Sequence, residues 1–134
     1  MYCESELVVR YAETDQMGIV HHSVYPIWYE IARTDFIKKL GMTYSNIEAM
    51  GIMTPLVNLN CHYLRPACYE DILCVRAWIS KLTPAKIEFS YEIYKKETLI
   101  STGTTLHAWV GKDLKPMNIK KNFPNIYEKL QESL

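Results

Sequence analysis

The chain has 134 residues, 49% hydrophobic and 22% charged, with 15 basic side chains balanced by 15 acidic ones. That is the size and composition of one soluble globular domain with a real core. A formal charge of zero argues against a nucleic-acid surface as the main function, and no apolar run approaches the roughly 20 residues of a membrane span.

In chain order, residues 6–12 (ELVVRYA) are β-branched and aromatic enough to predict a strand, closed by the polar run Glu13, Thr14, Asp15 and Gln16. Gly18 supplies backbone freedom for a turn. Ser23 is placed to N-cap a helix whose first turn tolerates Pro26. Tyr25, Trp28, Tyr29, Ala32, Phe36 and Leu40 then recur at helical spacing, and Gly41 is placed to end the helix after Lys38 and Lys39. Ile27, Ile31 and Ile37 widen the apolar stripe beyond one face, which predicts a buried helix.

A short helix is expected over 43–50, starting at Thr43 or Ser45 and ending at Gly51. After Pro55 the texture changes. Residues 56–63, 72–80 and 86–95 alternate apolar and polar, and 99–110 is a further strand in which Gly103 hints at a bulge. Residues 123–133 form a short amphipathic helix using Ile126, Tyr127 and Leu130. A strand, a long helix and then four strands predict an α+β domain over 1–134, with an antiparallel sheet wrapped on the helix. The helix is apolar on more sides than one sheet covers, so a homo-oligomer, dimer or higher, is expected to close the remainder.

Four cysteines, at positions 3, 61, 68 and 74, have spacings that fit neither a zinc ribbon nor a redox pair. With no signal peptide, they are expected to be reduced thiols of a cytoplasmic protein.

The turn before the long helix gathers Asp15, Gln16, Gly18, His21 and His22 within eight positions. Helix N-termini expose unpaired N–H groups that stabilise a developing oxyanion. A carboxylate beside such a terminus is minimal equipment for acyl transfer. The plain alternative is that Asp15 and Gln16 are turn residues and the histidines a polar helix entrance.

The run Tyr11-Ala12-Glu13-Thr14-Asp15-Gln16-Met17-Gly18-Ile19-Val20-His21-His22-Ser23-Val24-Tyr25 resembles the signature of the 4-hydroxybenzoyl-CoA thioesterase family, in its broader bacterial acyl-CoA thioesterase branch. Glu30-Ile31-Ala32-Arg33, Tyr63-Leu64-Arg65-Pro66-Ala67 and Tyr69-Glu70-Asp71 match further segments of that family. The resemblance implies a hotdog fold, a five-stranded antiparallel sheet around a long central helix. It also implies a dimer or tetramer with active sites at the dimer interface, and hydrolysis of an acyl-CoA thioester without metal or cofactor. By position, Asp15 becomes the carboxylate that attacks the thioester or activates water. The backbone N–H near His22 polarises the carbonyl, and His22 itself is expected to hydrogen-bond Asp15 and hold it ionised, or else simply to line the pocket. Gly18, Val20, His21 and Tyr25 are expected to meet the substrate. The chain departs from the family pattern at Glu13, at His21 where a tyrosine is usual, and at Ser23-Val24 where an amide is usual.

Glu30, on the long helix, is the alternative carboxylate, because another hotdog branch carries its acid at a similar position; structurally it is expected to be buried and paired with Arg33 or another basic residue. His62 and His107 read as structural strand residues. Lys81, Lys86, Lys95 and Lys96 could meet CoA phosphates or form a solvated face, and Trp28, Tyr29 and Phe36 read as core and dimer packing, with bordering an acyl tunnel as the alternative. Two rival functions stand beside hydrolysis: an acyl-thioester dehydratase or hydratase using His22 and Glu30, and a non-catalytic acyl-CoA binding protein.

Overall fold

The computed structural model describes residues 1–134. Strand β1 (Cys3–Val8) is followed by α1 (Tyr25–Lys39), α2 (Tyr44–Ala49), β2 (Leu56–Tyr63), β3 (Ile72–Leu82), β4 (Lys86–Lys95), β5 (Thr98–Ala108), α3 (Ile119–Asn122) and α4 (Pro124–Glu132). The five strands form one sheet in the order β1-β3-β4-β5-β2, every pair antiparallel. Consecutive strands β3, β4 and β5 pair as hairpins, while β2 skips past two strands to the outer edge beside β5.

Alternation in sequence becomes alternation in burial. Leu73, Val75, Ala77 and Ile79 of β3 and Ile87, Phe89, Tyr91 and Ile93 of β4 all point to the same covered face. Against it α1 packs Tyr25, Trp28, Tyr29, Ala32, Phe36 and Ile37. Phe36 meets Phe89 edge-on at 5.7 Å, and Tyr29 stacks on Tyr91 at 4.3 Å. Burying each such side chain contributes about 1.5–3 kcal/mol.

Several expectations change. The first strand starts earlier and stops at Val8, because the Arg10 amide donates to the Glu13 carboxylate at 2.7 Å and folds Tyr11–Glu13 into a 3-10 turn. Ser23 does not cap the long helix. A 3-10 turn over His22–Val24 runs into α1, and the side chain that caps it belongs to His21. Pro26 does occupy the first turn. Gly103 marks no bulge; it pairs in register with Cys61 and Tyr91. A Cβ there would lie 2.4 Å from Tyr29 Oη and 2.7 Å from the Asn60 carbonyl oxygen. Glycine is needed because the helix comes that close to the sheet.

Within one chain α1 is covered on one side only: Ile27 and Ile31 remain 54% and 42% exposed. Strand β2 is exposed along nearly its whole length. Glu30 is not buried: it lies on the open side and makes no pair with Arg33 or any other basic residue. Arg33 turns inward instead and starts a line of hydrogen bonds. Its Nη1 donates to Tyr91 Oη at 3.0 Å. Tyr91 and Thr105 hydroxyls lie 2.6 Å apart, Thr105 Oγ1 is 2.9 Å from His107 Nε2, and His107 Nδ1 is 3.1 Å from the Thr54 carbonyl. A guanidinium only donates and a carbonyl only accepts, so the direction is set at both ends: Arg33 to Tyr91 to Thr105 to His107 to Thr54. All four cysteines are free, and no helix is long and apolar enough to cross a membrane.

Candidate active site

Residues 14–20 form a loop closed on itself. Thr14 bridges Val20, Asp15 N–H donates to Ile19 O at 2.9 Å, and Gly18 N–H returns to Asp15 O at 2.9 Å. Gly18 has φ +81°, the left-handed conformation that glycine adopts without strain. A Cβ at Gly18 would meet nothing within 4 Å, so its requirement is the backbone angle and not a close approach. The Asp15 Oδ1 atom accepts from the Met17 amide at 2.8 Å. The expected bond from His22 is not made, and the second carboxylate oxygen carries no protein hydrogen bond.

Two ties seat this loop. Val20 N–H donates to Ala67 O at 2.8 Å, and His21 N–H donates to Glu13 O at 2.9 Å. Opposite it, Leu64 and Arg65 amides both donate to Ile100 O, at 2.9 and 3.1 Å, which pins the segment after β2 to the sheet. Between the two runs an open groove of about 330 Å³, lined by Asp15, Met17, Ile19, Val20, His22, Tyr25 and the stretch Tyr63 to Pro66. Its walls are apolar apart from the carboxylate, His22, the tyrosine hydroxyls and Arg65, which suits an acyl group carried on a polar thioester.

At the helix entrance, Val24 N–H returns to His21 O at 3.0 Å and Ser23 N–H donates to His21 Nδ1 at 3.2 Å. Pro26 has no N–H to offer. The His22 amide is thus left uncommitted at the entrance, in a residue that lines the groove. Behind it Glu13 is buried; its carboxylate accepts from Arg10 N–H at 2.7 Å and from Trp28 Nε1 at 3.0 Å. Burial raises the Glu13 carboxyl, but the Arg10 amide, the Trp28 indole and the Arg10 side chain outweigh it and hold the group below its ordinary value.

Of the residues singled out in sequence, Asp15, Val20, His22 and Tyr25 share the groove. Gly18 and His21 do not line it: Gly18 makes the turn, and the His21 ring lies tilted by 32° against His22 with centroids 4.1 Å apart. Glu30 is exposed and away from the groove. Lys95 pairs with Asp71 at 2.9 Å, and none of the four lysines lines the groove. The groove wall from Tyr63 to Pro66 was not among the residues expected at the site. Its signal was the Tyr63-Leu64-Arg65-Pro66-Ala67 run. A second hollow of only about 10 Å³ lies among Ile37, Tyr44, Phe89, His107 and Trp109, too small for an acyl group.

The family model described as the thioesterase superfamily matches residues 17–101. YneP of Bacillus subtilis (strain 168), provisionally named an acyl-CoA thioesterase, is 40% identical over 134 residues, covering 96% of this chain and 97% of that one. YbgC of Haemophilus influenzae, named an acyl-CoA thioesterase, is 28% identical over 126 residues and 92% of each chain. The crystal structure of a DHNA-CoA thioesterase from Staphylococcus aureus matches with a TM-score of 0.94 at 35% identity, over 98% of this chain and 89% of that one.

Proposed function

The chain belongs to the thioesterase superfamily and has its hotdog fold, and from that premise we propose that it hydrolyses an acyl-CoA thioester to the free acid and CoA, as a single domain spanning 1–134. The observation that carries this reading is the shared groove: a carboxylate with one uncommitted oxygen, Asp15, faces the same space as the helix entrance at His22. Asp15 acts in one of two balanced ways. As nucleophile, its oxygen adds to the thioester carbonyl, the C–S bond breaks, CoA leaves as thiolate, and water then cleaves the acyl–Asp15 anhydride. As general base, it takes a proton from a water whose oxygen adds to that carbonyl, and the intermediate expels the thiolate. In both, the His22 N–H stabilises the oxyanion, a contribution of about 10²–10³ in rate for one such donor. Val20 and Tyr25 border the acyl group.

The 4-hydroxybenzoyl-CoA branch is our model for the site because its signature carboxylate, Asp15, lines the groove while Glu30 does not. The same fact weighs against a dehydratase built on His22 with Glu30. We further propose a homodimer paired through β2, supported by the exposure of that edge strand and of Ile27 and Ile31 on α1. Such pairing would bring a second chain beside the Tyr63 end of the groove.

The test is thiol release from a panel of short-chain, long-chain and aromatic acyl-CoAs, DHNA-CoA among them, with wild type and Asp15→Asn. Turnover in wild type that drops at least 10²-fold in the variant is expected. Undiminished release by Asp15→Asn sinks the assignment, and loss in Glu30→Gln instead would favour the other branch. Binding without turnover would make the protein an acyl-CoA carrier. Single turnover in labelled water separates the two routes, since only the anhydride leaves label in Asp15.

A further inference from the structure

The peptide bond joining His22 to Ser23 is held by side chains at both of its polar atoms. Tyr63 Oη donates to the His22 carbonyl oxygen at 2.8 Å, across 41 positions of chain. Ser23 N–H, on the other side of the same peptide, donates to His21 Nδ1 at 3.2 Å. That ring nitrogen also lies 2.7 Å from the Ser23 hydroxyl. An amide N–H only donates, so Nδ1 is unprotonated and the ring proton is on Nε2. The two holders are themselves braced. The Tyr63 ring meets Tyr25 edge-on at 4.9 Å, with Trp28 packed 5.1 Å behind Tyr25, and the His21 ring lies against the His22 ring.

A peptide unit is planar, so holding its C=O and its N–H fixes the orientation of the whole plane. The preceding plane, which contains the His22 N–H, is held through the His21 carbonyl by Val24 N–H at 3.0 Å. The His22 α-carbon is therefore fixed from both sides while the His22 N–H is left over. We propose that Tyr63 and His21 are positioning residues, a two-sided clamp that keeps the His22 amide aimed at the substrate carbonyl. The inference rests on the thioesterase reading of the groove. It gives His21 a role in the backbone behind the groove, where direct substrate contact was the expectation. It also gives Tyr63 a role beyond lining the wall. Neither residue touches the reacting atoms in this account. Each acts through one peptide bond.

The experiment measures kcat, KM and thermal midpoint for Tyr63→Phe, His21→Ala, His21→Asn, the Tyr63→Phe/His21→Ala double variant and Asp15→Asn. Tyr63→Phe keeps the ring contact and loses only the hydroxyl. The clamp predicts about a tenfold loss of kcat in Tyr63→Phe and in His21→Ala with KM within about twofold, since an amide aimed at the developing oxyanion acts mainly in the transition state. His21→Asn should recover most of the loss, because an asparagine carbonyl can accept the same N–H. The double variant should lose far less than the product of the single losses, because both substitutions release the same peptide. An inactive Asp15→Asn beside unchanged Tyr63→Phe and His21→Ala overturns the clamp alone. Losses that follow the thermal midpoint, rise in KM, or multiply in the double variant also overturn it. Undiminished turnover in Asp15→Asn overturns the reading of the groove and the clamp with it.

Discussion

Lowering the pH should destabilise the fold through His107 in particular. Burial, and then the Arg33 guanidinium, push this imidazole from 6.5 down to about 4, and the Thr54 carbonyl offsets only part of that. His107 is 3% exposed, and its two nitrogens are committed, one as donor to Thr54 and one as acceptor from Thr105. A second ring proton would turn the acceptor into a donor and break the line that starts at Arg33. The unfolded chain therefore binds a proton that the folded chain refuses, so stability is complete above pH 6.5 and is lost as the pH falls from there toward 4. With those two values the loss between pH 7.5 and pH 5 is about 2 kcal/mol, or roughly 6–10 °C in Tm for a domain of this size. Urea unfolding at a series of pH values would measure it in wild type and in His107→Gln, whose neutral amide can both donate through its NH2 and accept through its carbonyl. Every other titrating group cancels in the difference between the two curves. The difference should change by about 2 kcal/mol across the range. Parallel curves would refute the argument, whatever the variant's stability at neutral pH.

Gly103→Ala should cost about 1–3 kcal/mol or more in urea unfolding, because the new methyl overlaps both Tyr29 and a backbone carbonyl that cannot move away; a neutral result would mean that α1 shifts freely on the sheet. Glu13→Ala removes the acceptor from the buried Trp28 indole and should cost about 1–3 kcal/mol at pH 7, with calorimetry as the check. Leu59→Lys places a charge midway along β2, where the side chain is 40% exposed. Sedimentation should show the proposed dimer weakened while the far-UV spectrum is kept, and an unchanged mass would exclude β2 as the seam.

What the sequence made legible divides by range. The bounds of β2 and β4 match their alternating segments residue for residue, because period-two burial is a local signal. The end of α1 is likewise local, with Gly41 at φ +84° following Lys38 and Lys39. The beginning of β1 was hidden because Cys3 and Ser5 take the buried positions that larger apolar residues usually mark. The short helix α3 has only four residues and no period to read. At the site, Asp15 and His22 were legible as neighbours of one turn. The inward course of Arg33 and the hold of Tyr63 on His22 were not, since each joins positions far apart in the chain and depends on strand register.

The strand order carries a consequence for how the chain is made. Strand β2 leaves the ribosome before its only partner in the sheet, β5, has been synthesised, with all of β3 and β4 in between. Until β5 emerges, the strand that ends in Tyr63 has nothing to pair with inside its own chain, and Leu64 and Arg65 lack the Ile100 carbonyl that pins them. The Asp15 loop and the helix entrance are encoded early, yet the wall that faces them is secured only when β5 is in place. A nascent chain halted before β5 would therefore hold Asp15 and His22 opposite a wall not yet pinned to the sheet.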